Sequence, residues 1–176
     1  ACMVACTDAD AMVTGVTRNW SVAYDEVRRV IGVKPGATPF GLSIAAGTGP
    51  GRRTLFIADT NVQELPSSTE MADIAIATAA KVRQFGEVPR IAFLSFSNFG
   101  NPPREKAQRI REAVEELRRR HVDFEFDGEM TVDMALDHEL RTKFYPFCQL
   151  TGPANILLMP ALHSAHIVSR LLPMVG

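Results

Sequence analysis

Residues 67–94 read SSTEMADIAIATAAKVRQFGEVPRIAFL, and the change of periodicity inside that stretch decides the fold. Ser67 and Glu70 have the spacing of a capping box, in which a hydroxyl and a carboxylate satisfy free backbone N–H groups at a helix start. Met71, Ile74, Ala75, Val82 and Phe85 then recur on one helical face, with Thr78 interrupting the stripe, until Gly86 and Pro89 end it. Ile91 to Leu94 is a short, unbroken apolar run, as expected of a strand buried on both faces. Burying each larger member of the stripe stabilises by roughly 1.5 to 3 kcal/mol, so packing against a sheet, rather than propensity, holds this helix.

The same alternation extends in both directions. Upstream, Phe40–Ala46 and Thr54–Ala58 are β-prone runs separated by the turn residues Gly47 to Arg53, which predicts a hairpin. That glycine loop precedes a strand instead of opening a helix, so it reads as a turn and not as a phosphate cradle. Further upstream, Ala11 to Thr14 closed by Gly15 predicts a buried strand, and Ser21 is positioned to cap a helix whose inward face is Val22, Val27, Val30 and Ile31. Downstream, Lys106 to Arg120 predicts an amphipathic helix with Ala107, Ile110, Val114 and Leu117 on one face and i,i+4 pairs Glu115–Arg119 and Glu116–Arg120 on the other. Asp123 to Phe126 alternates acidic and aromatic residues, the period of a strand with one wet face, and short helices fit between Thr131 and Lys143. Ile156 to Met159 predicts another buried strand, followed by a helix over Ala161 to Leu172 whose inward stripe is Ile167, Val168, Leu171 and Leu172. Together these elements predict α/β layers around a partly parallel sheet.

Composition removes several functional classes. The 176 residues are 46% apolar, enough for one sizeable core, and the net charge of −1 offers no global field for nucleic acid or an anionic membrane. No apolar run approaches the roughly 20 residues of a membrane span. Cys2, Cys6 and Cys148 are odd in number and lack metal-ligand spacing, which predicts thiols of a cytoplasmic protein. The apolar segments at both ends, Ala1 to Ala5 and Leu171 to Gly176, suggest a fragment of something longer.

In such sheets ligands sit beyond the carboxyl ends of the strands. The residues there are Thr17-Arg18-Asn19 after the first expected strand, Ser95 to Asn101 after Leu94, and Asp127-Gly128-Glu129 after Phe126. Thr151 to Asn155 stands before the last strand. Ser95, Ser97 and Asn98 offer hydroxyl and amide donors, Gly100 permits close backbone approach, and Arg18 or Arg28 can supply positive charge, a set suited to phosphate or coenzyme A. The alternative is that these short polar residues only build turns and caps. Asp127 and Glu129 lie on one face of an extended chain, either as a coupled pair with one raised pKa or as positioning carboxylates, and Asp8 and Asp10 pose the same choice. His163 and His166, three apart on the last helix, lack a nearby third ligand and read as surface or core histidines rather than a metal site.

These ordered segments resemble the phosphate acetyl/butyryltransferase family. The resemblance runs through Asp8 to Gly15, Ala58-Asp59-Thr60, Pro66 to Ile76, Leu94 to Gly100, Asp127-Gly128-Glu129, Gly152 to Asn155 and Pro160 to His166. Gly15 to Ala23 and Tyr145-Pro146-Phe147-Cys148 with Leu150 to Asn155 are similar to the version carried by large NADP-dependent malic enzymes. The histidine and the arginine-proline pair that stand-alone transacetylases carry near Arg18 and near Arg28-Arg29 are altered.

The resemblance implies a layered α/β/α fold of the isocitrate/isopropylmalate dehydrogenase-like kind, with residues 1–176 a partial domain. It also implies at least a homodimer and a cleft for acyl-CoA and phosphate. Thr17, Arg18, Arg28, Ser95, Ser97, Asn98 and Asn155 are the expected binding residues, Asp127 and Glu129 the positioning carboxylates, and no residue of the chain is catalytic or a metal ligand. Acetyl-CoA is the expected effector, while NADP and a divalent metal belong to a malic-enzyme portion outside the chain. Three functions follow: a regulatory, oligomerising module of a malic enzyme; an active phosphate acetyltransferase; or a dimerisation domain alone.

Overall fold

A computed structural model describes residues 1–15, 17–47 and 53–175. Most of the Gly47–Arg53 turn, residues 48–52, lies outside the described residues. The chain divides into two compact units, Ala1–Thr38 and Pro39–Gly176.

The first unit contains α1 (Cys2–Ala5) and α2 (Trp20–Ile31). Trp20 and Tyr24 stack on α2 with ring centroids 5.0 Å apart, and Ala23 is buried. The strand expected over Ala11 to Thr14 is irregular and exposed instead. An apolar run becomes a strand only through ladder hydrogen bonds to a neighbour, and the described residues of the unit form none. The cap of α2 is Asn19, two residues before the expected Ser21, and no side-chain cap bond is made.

The second unit is a sandwich of helices around one sheet. Its elements are β1 (Leu42–Ala46), β2 (Thr54–Ala58), α3 (Ser68–Gln84), β3 (Arg90–Leu94), α4 (Glu105–Arg119), β4 (Glu125–Met130), α5 (Val132–Leu136), α6 (His138–Phe144), β5 (Ile156–Leu158) and α7 (Leu162–Val175). The five-stranded sheet has the order β1-β2-β5-β3-β4. β1 and β2 form the expected antiparallel hairpin, and β2, β5, β3 and β4 run parallel.

Strand alternation builds two cores. Phe56, Ala58, Ile91, Phe93, Ile156 and Leu158 pack against α3 and α4 with Met71, Ile74, Ala75, Val82, Ile110, Val114 and Leu117. Ile57, Ala92, Leu94 and Leu157 point the other way, to Ala135 of α5, Leu150, Ala154 and Ala165 of α7. This is why the strands read as continuous apolar runs: both faces are covered. The capping box forms as expected, with the Ser67 N–H and hydroxyl donating to Glu70 at 2.8 Å and the Glu70 N–H donating to Ser67 Oγ at 3.2 Å. Phe85, expected in the stripe, caps the helix and is exposed.

Three expectations shift. β4 starts at Glu125, not Asp123, and its final residues are buried rather than half wet. On α7, Val168 and Leu172 reach the core, whereas Ile167 and Leu171 are 65% and 54% exposed, because one helical face is narrower than the four-residue stripe. Arg120 does not stop at Glu116 but also reaches Asp73 of α3, tying the two helices together, while Arg118 and Arg119 pair three residues back with Glu115 and Glu116.

Candidate functional site

The carboxyl ends of the parallel strands meet at one rim. β3 delivers Ser95, β5 delivers Pro160 and Ala161, and α4 begins beside them. A cavity of about 620 Å³ opens there, lined by Leu65, Ser95, Phe96, Glu105, Lys106, Arg109, Ile110, Pro160, Ala161 and His163. Arg109 donates to the Pro160 carbonyl at 2.7 Å, which aims a guanidinium along the wall and leaves further N–H donors. Burial pushes the Arg109 pKa down from the ordinary arginine value. With Lys106 the lining carries two cationic side chains against the one carboxylate of Glu105, beside the His163 ring and apolar groups, a combination suited to an anion carried on an organic body.

The loop after β3 is held from behind. Ser97 is fully buried and donates to Glu129 Oε1 at 2.7 Å. The same carboxylate oxygen accepts the Gly100 N–H at 3.0 Å and Arg111 Nη1 at 3.0 Å. Ser95 Oγ lies 3.2 Å from Ser97 Oγ, so a chain of polar groups connects the cavity wall to a buried carboxylate. Asn98 Oδ1 accepts from the Thr131 N–H at 2.8 Å and its hydroxyl at 3.2 Å, and the Asn98 and Asn101 backbones bond to each other. Phe99 follows with a positive φ of 49° and packs its ring against Tyr145 and Phe147, with centroids 5.1 and 5.0 Å away. The aromatic pair of the Tyr145 to Cys148 motif thus braces the loop from outside.

Glu129 reaches this position through an irregularity of β4. Phe93 pairs with Gly128 and Leu94 with Met130, so Glu129 is the extra residue of a β-bulge. Gly128 has φ +150°, and a Cβ there would lie 2.8 Å from both Cβ and O of Phe93, which makes glycine the residue that lets the strands approach. The bulge also separates the two carboxylates of this strand. Simple alternation would set Asp127 and Glu129 side by side, yet they take separate partners: Asp127 accepts from Arg118 at 3.2 Å and the Gln149 N–H at 2.8 Å, and Glu129 from Arg111, Ser97 and Gly100. Each carboxylate is thus tied to its own arginine.

Asn155 does not join Ser95 and Ser97. It precedes β5 and therefore stands at the opposite, amino-terminal rim of the parallel strands. Its Oδ1 accepts the Arg90 N–H at 2.8 Å and its Nδ2 donates to Val88 O at 2.9 Å, so the amide pins the entry of β3. Within the first unit, Arg18 pairs with Glu26 at 2.8 Å, Thr17 is exposed and donates its N–H to Gly15 O, and Arg28 is exposed in the last turn of α2. Asp8 and Asp10 are exposed, as are His163 and His166. Among the described residues no group of three or more His, Cys, Asp or Glu side chains is placed to hold a metal ion.

Of the residues expected from sequence, Ser95, Ser97, Asn98 and Glu129 come together around the loop after β3; Lys106, Arg109 and Arg111 were not singled out, and His163 was read as a surface or core histidine. Lys106, Arg109 and Arg111 sit on α4 beside its apolar stripe, where a cation reads as solvated; only the packing of α4 across the rim distinguishes them. Gly128 inside a strand was the available signal for the bulge.

Comparison with known proteins agrees with this architecture. The family model described as Phosphate acetyl/butaryl transferase matches residues 1–176. An NADP-dependent malic enzyme of Rhizobium meliloti (strain 1021) is 51% identical over 176 residues, covering all of this chain and 23% of that protein. A phosphate acetyltransferase of Treponema pallidum (strain Nichols) is 36% identical over 171 residues, covering 93% of this chain and 51% of that protein. The crystal structure of a phosphotransacetylase from Streptococcus pyogenes superposes with a TM-score of 0.88 at 28% identity, covering 99% of this chain and 53% of that one. The chain thus spans less than a quarter of the malic enzymes and about half of the transferases that it resembles. With the α/β sheet, the ordered motifs and the whole-length match in agreement, the chain belongs to the phosphate acetyl/butaryl transferase family.

Proposed function

We propose that this chain is the phosphotransacetylase-like, acyl-CoA-responsive region of an NADP-dependent malic enzyme, a cytoplasmic protein that oxidatively decarboxylates malate to pyruvate. Its likeness over its whole length to a malic enzyme, at 51% identity, carries the reading. The basic cavity formed by Lys106, Arg109 and His163 at the strand rim is the place where an acyl-CoA or phosphate group would bind in this unit. Binding there changes malate oxidation only through differential affinity for two states of the whole protein, which makes the effect a coupling free energy between separate sites. NADP and a divalent metal serve the remainder of that protein. The exposed apolar residues Ile167, Leu171 and Met174 of α7 offer a surface for the self-association that this role requires.

The test uses the full-length protein. Calorimetry should detect acetyl-CoA binding that Arg109→Ala and Lys106→Ala weaken, and acetyl-CoA should alter malate oxidation in the wild type but less in those variants. The similarity to a phosphate acetyltransferase favours a second reading, an active transferase, and formation of CoA from acetyl-CoA and phosphate would establish it. Absence of any acetyl-CoA binding would leave only a scaffold.

A further inference from the structure

The proton order along Ser95, Ser97 and Glu129 determines what kind of group the cavity accepts. Glu129 Oε1 receives the Gly100 N–H and an Arg111 N–H, both at 3.0 Å, and two such donors fix that oxygen as an acceptor. The contact of 2.7 Å to Ser97 Oγ must then use the single proton of Ser97. Ser97 is fully buried and has no second proton to give, so the contact of 3.2 Å between the two hydroxyls is a hydrogen bond only if Ser95 donates. The order is Ser95 to Ser97 to Glu129. Ser95, the member that lines the cavity, is left presenting lone pairs toward it.

An electron-rich oxygen beside Lys106, Arg109 and His163 is selective. A fully ionised oxyanion placed against Ser95 sets lone pair against lone pair, or else must take the Ser95 proton and break the chain. An oxyanion that still carries an O–H donates to Ser95 while Lys106 and Arg109 hold its charge. Hydrogen phosphate has such a proton at neutral pH and sulfate has none, although the two are nearly equal in size and shape. Resting on the anion-site reading above, we infer that Ser95 is a specificity-determining acceptor that selects hydrogen phosphate over fully ionised oxyanions, and that Glu129 is the positioning residue that imposes this polarity through Ser97.

The test is calorimetric titration of the full-length protein with inorganic phosphate and with sulfate at pH 7 and constant ionic strength, with the heat that Arg109→Ala abolishes taken as the signal of this cavity. Phosphate should bind about tenfold tighter than sulfate, the loss expected when a charged ligand faces an unmatched acceptor. Ser95→Ala should weaken phosphate about tenfold and leave sulfate unchanged. Ser97→Ala frees the Ser95 proton, and Glu129→Gln offers Ser97 an amide N–H in place of an obligate acceptor; both should bring the two affinities together. Should Glu129→Gln fail to fold, Ser95→Ala and Ser97→Ala carry the test. Binding of both anions within twofold of each other in the wild type, or equal weakening of both by Ser95→Ala, would overturn the proton order while leaving the anion site standing. Binding of neither phosphate, sulfate nor acetyl-CoA would overturn the anion site and this inference with it.

Discussion

Replacing Gly128 by alanine should disturb the site out of proportion to one methyl group. Two effects add. The φ of +150° is strained for any residue with a Cβ, which costs about 1 to 2 kcal/mol. The new Cβ would also lie 2.8 Å from Cβ and O of Phe93, one of them backbone of a fully buried strand that cannot rotate away. Relieving it means separating β3 from β4, an overpacking cost of about 1 to 3 kcal/mol. The total is about 2 to 5 kcal/mol. Gly86 is the control: its φ of +81° carries the same kind of backbone strain, but a Cβ there meets nothing within 4 Å, so Gly86→Ala should lose only about 1 kcal/mol. Denaturant unfolding of the two variants measures the difference, with phosphate titration as a second readout. Because the neighbouring Glu129 holds Ser97, Gly128→Ala should also weaken phosphate binding, and Gly86→Ala should not. Equal destabilisation by both substitutions would refute the reasoning, since it would mean that the close approach to Phe93 contributes nothing.

Other perturbations give separate checks. Arg141 is 1% exposed and donates to the carbonyls of Met134, Ala135, Leu150 and Gly152 at 2.6 to 3.2 Å and to His138 Nδ1 at 3.0 Å, so Arg141→Met should destabilise by about 3 to 5 kcal/mol in denaturant titrations. Ser67→Ala removes a cap that is made and should cost about 1 kcal/mol by the same measurement. The backbone N–H and hydroxyl of Ser67 hold the Glu70 carboxyl below the usual carboxylate value, so its contribution to stability is present above the unfolded pKa and is lost as pH falls through the folded one. Ser67→Ala should therefore flatten the acid limb of a stability-against-pH curve. Burial, reinforced by the neighbouring Asp127 charge, pushes the Cys148 thiol up to about 11, leaving on the order of 0.1% thiolate at pH 8. Iodoacetamide labelling followed by mass spectrometry should modify the exposed Cys2 and Cys6 well before Cys148.

What the sequence by itself determined is the set of elements whose cause is local or periodic. The Ser67–Glu70 box, the α3 and α4 stripes, the β1–β2 hairpin and the doubly buried strands β3 and β5 each follow from residues within one turn or one run. Failures came where a partner outside the segment decides. Ala11 to Thr14 has strand composition but forms no ladder, and Ile167 and Leu171 are apolar yet exposed, because burial depends on what lies opposite and not on side-chain type.

The site divides along the same line. Ser95, Ser97 and Asn98 were legible because a polar loop directly after a buried apolar strand stands at the carboxyl rim of the sheet. Asn155 resembled them in composition, but only chain direction places it at the other rim, where its amide locks β3. Lys106, Arg109 and His163 come together through the crossing of α4 and α7 over the strand ends, and Glu129 faces Ser97 through a bulge that Gly128 permits. Local sequence fixes which atoms a residue offers; the three-dimensional path of the backbone, set by long-range strand pairing, decides which of those atoms meet.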